Sequence, residues 1–301
     1  MKRQMKSKQG RQGNRKSELE IEILYEDRHL LVAVKPPGML SQGDITRAPD
    51  MLTEIKQLLW EKSGRTRRPF LALVHRLDRP TSGLMVFARS SKAASRLAEA
   101  FRARQVIKEY IAITRGIPEE ESGDLTDWIS TEKEAEGRVQ VRSKHNEGET
   151  IQNLKTHMLQ KKRVHAHSKR HNDDSSEHQK IRSVHKRWVD ATLSWRRLST
   201  DLKRNESLLL ITLWTGRKHQ IRAQFAANKM PLLGDRRYGQ GDARDRSVPT
   251  VALHACRLTF LHPVNKTVCS FTSFPDINHS FSERDHLVLK EALDKDKRLS
   301  L

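Results

Sequence analysis

The residues best placed to do chemistry lie in LALVHRLDRPTSGLMVFAR, residues 71–89. Asp78 stands between Arg76 and Arg79 and is followed by Pro80, Thr81, Ser82 and Gly83. An aspartate among arginines can be a surface ion pair or a carboxylate kept ionised for attack. Pro80 fixes one backbone angle and Gly83 permits another, so the turn is stiff and specifically shaped. The hydroxyls of Thr81 and Ser82 can satisfy turn amides. A guanidinium within roughly 4–6 Å favours the ionised carboxylate. Such a group is a poor general base at neutral pH but serves as a nucleophile or electrostatic stabiliser. Carboxylate nucleophiles act chiefly at sugar anomeric carbons and at phosphoryl groups. No second carboxylate lies nearby in sequence, which disfavours a two-acid glycosidase. A phosphate-binding glycine loop and a Walker lysine are also missing.

A second basic cluster, LWTGRKHQIRAQF, occupies residues 213–225. Thr215 and Gly216 end a strand. His219, Gln220 and Arg222 then fall on the first turns of a helix, with Ile221 and Phe225 turned inward at i, i+4. Arg222 is thus a rigidly mounted cation suited to pairing with a buried aspartate.

These groups need elements to hold them. LEIEILY (19–25) alternates as a half-buried strand, and LLVAV (30–34) is a second strand stopped at Lys35-Pro36-Pro37-Gly38. Leu52, Ile55, Leu58 and Leu59 recur at helical spacing. LALVH and LMVFA read as short strands on either side of the Asp78 turn, which places that turn where rigid elements present chemistry. SSKAASRLAEAFRARQ (90–105) reads as a serine-capped helix with Ala94, Leu97, Ala98 and Phe101 inward. VIKEYIAIT, RWVDATLSWRRL, LLLITLW, VALHACRLTF and TVCSFTSF read as strands, and HLVLKEALDK as a closing helix. Strands outnumber helices and often neighbour one another. The expected class is therefore α+β, with a mixed, mainly antiparallel central sheet and flanking helices.

The domain reading has four parts: a disordered basic arm over 1–18, a catalytic domain over 19–278, an interruption at 142–187, and a C-terminal helix or tail over 279–301. The interruption is rich in His, Lys and Arg and nearly free of core-forming residues, so it is expected to be disordered. Its histidines fit no standard metal spacing.

The 301 residues are 36% hydrophobic and 31% charged, with a net charge of +20. The pI is about 10.2. Such a surface favours a polyanion, and nucleic acid is the expected partner. An anionic membrane is the weaker option, because no long basic amphipathic helix is evident. Two cysteines, Cys256 and Cys269, make neither a zinc framework nor a disulfide scaffold and suit a reducing compartment. No apolar run approaches the roughly 20 residues of a membrane span. Cytoplasmic location is expected, or a mitochondrion or plastid if the basic N-terminus is a transit peptide. A DNA-binding repressor finds no helix-turn-helix pattern here.

Five strings together resemble the RluA-type pseudouridine synthases. They are VAVKPPGM (32–39), HRLDRPTSGLMVFAR (75–89), KEYIAITRG (108–116), TGRKHQIRAQF (215–225) and LLGDRRYG (232–239), in the family's order. They span about residues 21–274, apart from the interruption. The resemblance implies the pseudouridine synthase catalytic fold with an RNA-binding cleft across it. It implies isomerisation of uridine in rRNA or tRNA to pseudouridine, with no cofactor and no metal, by a monomer of the single-domain branch. By resemblance Asp78 is the catalytic aspartate, attacking C1′ or removing the 2′ proton. Tyr110 stacks on the flipped uracil and is a candidate to help remove the C5 proton, and Arg222 ion-pairs with Asp78, with Arg217 its nearest rival. Arg76 enters the helix where the base leaves. Arg79, Arg217, His219 and Gln220 are expected to join it in RNA binding and base flipping, and Leu213 to wall the uracil pocket. Extruding a base costs a few kcal/mol. Stacking on an aromatic ring returns about 1–3 kcal/mol, and phosphate contacts supply the remainder. The alternative is an RNA-binding or ribosome-assembly factor that keeps the fold without needing the catalysis. The insertion is not family-typical and is expected either to contact RNA or to be an inert expansion.

Overall fold

The computed structural model describes residues 21–66, 68–132, 137–144, 188–277 and 280–299. The expected basic arm and all but the first three residues of the expected insertion lie outside the described residues. Eleven described strands form one sheet. Its path begins with β1 (Ile23–Glu26), β2 (Leu30–Lys35) and β4 (Ser82–Ala88). It continues through β10 (Leu253–Leu261), β5 (Ile107–Arg115) and β9 (Glu206–Leu213) to β8 (Trp188–Asp201), β6 (Ser122–Ser130) and β7 (Val141–Ser143). Short β3 (Ala72–Leu73) joins β4, and β11 (Val268–Thr272) joins β10. Every pairing is antiparallel except β4 with β10. The α+β expectation with a mainly antiparallel sheet is met.

The run LMVFA is apolar without alternation because β4 is covered on both faces. Met85 and Phe87 join a core with α1 (Met51–Lys62) and α3 (Gln220–Ala227). Leu84, Val86 and Ala88 join another with α2 (Ser91–Arg102). Farther along that second face, Leu289 and Leu293 of α5 (Glu283–Leu299) pack on Ile111, Ile113, Leu208 and Leu210. The short α4 (Ala243–Arg246) lies between α3 and β10 in sequence.

The serine cap expected for the second helix is present, and the first helix has an aspartate cap not anticipated from sequence. The side chain of Ser90 accepts from the Ala93 amide to start α2, and Asp50 accepts from Thr53 to start α1. The expected faces shift slightly. Met51, Ile55 and Leu59 are the buried residues of α1, while Leu58 is 43% exposed. In α2 Ala93 and Leu97 are buried, and Ala94, Ala98 and Phe101 are half-buried. Two strands were not anticipated, β6 and β7. Arg142 and Ser143, assigned to the insertion, extend the sheet instead by pairing with Trp128 and Asp127.

The branch between β4 and β10 depends on one glycine. Gly83 has φ +114° and pairs with Ala255 so closely that a Cβ would collide with the Ala255 backbone N and O. No side chain fits there, so the turn carrying Asp78 is pinned to the centre of the sheet. Among the described residues no helix is long and apolar enough to cross a membrane.

Candidate active site

Asp78 sits in the loop between β3 and β4, and the KPPGM segment stitches that loop in place. The Thr81 amide donates to the Asp78 carbonyl at 3.1 Å, and the Gly38 amide donates to the Arg79 carbonyl at 2.8 Å. Ser41 Oγ donates to the Leu77 carbonyl at 2.7 Å and accepts from the Leu77 amide at 3.1 Å. Lys35 is fully buried, and its Nζ donates to the carbonyls of Met39, Pro36 and Arg79 at 2.7, 2.9 and 3.1 Å. Burial and repulsion by Arg79 lower the Lys35 pKa to about 7, against the attraction of Asp78. This lysine is therefore a structural tie between two motifs, satisfied by three carbonyls.

The ionic partner of the Asp78 carboxylate is not its sequence neighbour. Arg222 Nη1 donates to Asp78 Oδ2 at 3.2 Å. The same guanidinium gives Nε and Nη2 to the two oxygens of Asp235, each at 2.7 Å. Arg222 and Asp235 are buried, while the Asp78 side chain keeps 26% exposure. Burial alone would lower the Arg222 pKa, but Asp235 and Asp78 outweigh it and raise it above its ordinary value. Burial likewise opposes ionisation of Asp235. The Arg222 charge and the amides of Arg237 and Tyr238 prevail, so its carboxyl is held below its ordinary pKa. The Tyr238 ring lies 5.4 Å from the Arg222 guanidinium. Tyr238 also connects by its hydroxyl to His219 Nδ1 at 2.9 Å.

His219 starts α3 in a left-handed conformation, φ +53°, with its Nε2 3.8 Å from Asp78 Oδ2. Burial and three neighbouring cations lower its pKa to about 4 in spite of Asp78, so the imidazole is neutral at pH 7. Above the carboxylate lies a cleft of about 1040 Å³. Tyr110 and Leu213 are apolar walls of it, both largely buried. Burial, then Asp78 and Cys256, push the Tyr110 phenol above its ordinary pKa, so it stays protonated. Arg76, Arg79, Arg102, Arg104, Lys108, Arg217, Lys218 and Arg237 join Arg222 along the cleft, against only Asp44 and Asp78.

The structure thus brings together Asp78, Tyr110, Arg222 and Leu213 and places Arg76 and Arg79 on the exposed rim. Arg79 Nε donates to the Gly38 carbonyl at 3.0 Å. Arg217 turns away from Asp78, its Nε donating to the Asp190 carbonyl at 2.7 Å. Gln220, expected to meet RNA, is buried. Its Oε1 accepts from Thr215 Oγ1 at 2.8 Å and from the Arg217 amide at 3.0 Å, so it fixes the TGR turn instead. His219 is buried too, within the cleft wall. Sequence reasoning missed Asp235, Lys35, Lys108 and Tyr238. The motif strings contained all four, but nothing in their local spacing revealed which charges meet.

The family model described as RNA pseudouridylate synthase matches residues 29–227. A protein of Vibrio vulnificus named dual-specificity RNA pseudouridine synthase RluA is 30% identical over 247 residues, covering 80% of this chain and 78% of that protein. The tRNA pseudouridine synthase C of the same species is 28% identical over 248 residues, covering 81% and 86%. Among solved structures, human RNA Pseudouridylate Synthase Domain Containing 4 superposes with a TM-score of 0.60 at 22% identity, covering 85% of this chain and 88% of that one. That likeness establishes the fold.

Proposed function

Because the chain belongs to the RNA pseudouridylate synthase family, we propose that Asp78, at the floor of the cationic cleft, carries its chemistry. The protein is an enzyme that isomerises uridine in RNA to pseudouridine. The relatives' names speak of dual specificity and of tRNA. On that basis, and because an A-form major groove hides base edges, the proposed substrate is a uridine in an exposed loop of rRNA or tRNA.

The observation that carries the mechanism is the half-exposed Asp78 carboxylate, tied at 3.2 Å to a buried arginine and facing the tyrosine-walled cleft. A uridine turned out of its helix brings its ribose to this carboxylate. The N1–C1′ bond breaks as Asp78 attacks C1′ or takes the 2′ proton. The freed uracil rotates and C5 bonds to C1′, which breaks the Asp78–C1′ ester bond or, on the glycal route, returns the 2′ proton from Asp78. The C5 proton then leaves and N1 takes up a proton. The Tyr110 ring stacks on the base through this rotation. Its raised pKa keeps the phenol protonated at neutral pH, so little phenolate is present to take a proton, which supports the stacking role over C5 deprotonation. Arg222 positions Asp78, and Arg76 on the rim fills the space the base vacates. The enzyme is proposed to act as a monomer in the cytoplasm, where Cys256 and Cys269 remain free thiols.

Tritium release from C5-labelled uridine RNA tests the assignment. Wild type is expected to release label and Asp78→Ala to release none above background. Equal release by both would remove Asp78 from the reaction. Mapping pseudouridine in total RNA with and without the gene would identify the target.

A further inference from the structure

The basic surface continues past the cleft onto the arm formed by β8, β6 and β7. Arg104, a cleft residue, lies 3.8 Å from the Asp190 carboxylate, and Arg217 binds the carbonyl of the same residue. Asp190 faces Trp128 across the β8–β6 pairing, and Trp128 faces Arg142 across β6–β7. Residues directly opposite in an antiparallel pair share a face, as do residues two apart. Trp128, Trp188, Arg142, Lys144 and Asp190 therefore stand on one face of the arm. Asp127, Ile129 and Ala191 turn to the other face, toward α3.

On the first face the Arg142 guanidinium lies 4.5 Å from the Trp188 ring centre, and the Lys144 ammonium 4.2 Å from that of Trp128. Both rings remain half-exposed and Arg142 is exposed. Of the two carboxylates on this face, Asp190 is matched by Lys144 and Arg104, and Asp124 accepts from Ser194 Oγ at 2.5 Å. Trp214, 48% exposed at the cleft, is tied to β8 by its Nε1–H donating to Ser194 Oγ at 2.7 Å. A line of exposed and half-exposed indoles and cations thus runs outward from the reaction centre.

We propose that this arm face is a second RNA-docking surface, which takes unpaired nucleotides of the substrate flanking the everted uridine. The proposal rests on the functional reading above for the identity of the polymer. Exposed rings on a sheet, interleaved with cations, match the two features of a single strand. The bases stack on tryptophan, and the phosphates meet Arg142 and Lys144. Stacking of this kind is sequence-tolerant, so the face adds affinity and orientation while the cleft selects the uridine. Charge complementarity with a +20 chain and continuity with the cleft favour RNA over an acidic protein segment.

The test uses the full chain and a fluorescein-labelled oligouridine of about twelve nucleotides, within single-strand site sizes. Changing Trp128 and Trp188 together to alanine is expected to raise Kd by roughly 5- to 150-fold for each stacked base lost. Arg142→Ala is expected to flatten the salt dependence of log Kd by about 0.7 for a lost phosphate contact. The single-turnover rate of tritium release at saturating RNA should not change, because the face is remote from the reacting atoms. Photocrosslinking of wild type to the same strand carrying 5-iodouridine should label Trp128 or Trp188. This reads the surface even where the double variant does not fold. Unchanged Kd in a folded double variant, or crosslinks confined to the cleft, overturns the proposal. Asp78→Asn separates the two readings. It should lose release and keep affinity, and if it keeps release the mechanism fails whatever the tryptophans do.

Discussion

Removing Asp235 should disable the enzyme without touching the substrate. Asp235 takes the Nε and Nη2 donors of Arg222 at 2.7 Å each, and its Oδ1 also accepts the amides of Arg237 and Tyr238 at 2.9 and 3.1 Å. Both members of the pair are at most 5% exposed. Deleting one partner of a buried ion pair costs about 3–5 kcal/mol, because the other charge stays buried without it. Here Arg222 keeps Asp78 and the Tyr238 ring, so the lower end, about 3 kcal/mol, is expected for Asp235→Ala. For a chain of this size that lowers Tm by roughly 6–12 °C.

The catalytic effect has a different origin. Freed from Asp235, the guanidinium fork can close on both oxygens of Asp78 and drag the carboxylate from its place, and a shift of about 1 Å can cost roughly 100-fold in rate. Tritium release well below Tm should therefore fall in kcat, while RNA affinity stays within about twofold, since the phosphate-binding cations are intact. The pH arm has a definite sign. The folded Asp235 carboxyl is held below its ordinary value of 3.8. Its stabilisation is fully present above that value and disappears as pH falls through the lower folded one, so the Tm gap between wild type and variant should close in acid. A variant with unchanged Tm and unchanged kcat at neutral pH would refute the claim that Asp235 holds Arg222.

Three other changes follow from the same geometry. Lys108 borders the cleft, and burial together with Arg104 and Arg217 lowers its pKa to about 8. RNA affinity of wild type should thus weaken as pH rises through that value, whereas Lys108→Met should be weaker throughout and lack the step in a pH series of binding titrations. Gly83→Ala combines a positive φ with a collision against the Ala255 backbone, and should destabilise by about 3 kcal/mol or more in urea titration. Tyr110→Phe should retain RNA affinity because the ring remains, while Tyr110→Ala should lose about 1–3 kcal/mol of binding. Anisotropy titrations distinguish the stacking role from one carried by the hydroxyl.

The Asp78 turn was legible because its constraints are local: a proline, a glycine and two strands within a few residues. The choice of Arg222 was also legible, since helical spacing put Ile221 and Phe225 inward and fixed the direction of Arg222, and the family resemblance set it ahead of Arg217. The charge partners of Arg222 were not, because Asp235 and Asp78 reach it from different elements. The strand β6 escaped notice for a related reason. Its buried face includes Asp127, which breaks the apolar alternation and accepts from Gln224 Nε2 at 2.6 Å, from α3. A window of nine residues holds no sign of that partner. Gln220 misled in the opposite direction. Polarity suggested a surface role, yet its amide closes the turn before its own helix.

With Asp78 in its proposed catalytic role, the arrangement around Arg222 explains why two acids share one arginine. A guanidinium offers a fork that readily occupies both oxygens of a carboxylate. If that fork met Asp78, neither oxygen would be left for the ribose. Asp235 takes the fork, so Asp78 receives only Nη1, and that contact falls on Oδ2, as does the approach of His219 Nε2. Oδ1 of Asp78 has no hydrogen-bond partner among the described residues and is left for the substrate. Because the Asp235 end is buried and the Asp78 end is half-exposed, the cation is neutralised from behind while it orients the carboxylate in front. Asp78 thereby keeps its direction without being saturated, which is what a carboxylate that must form or accept a bond at the sugar requires.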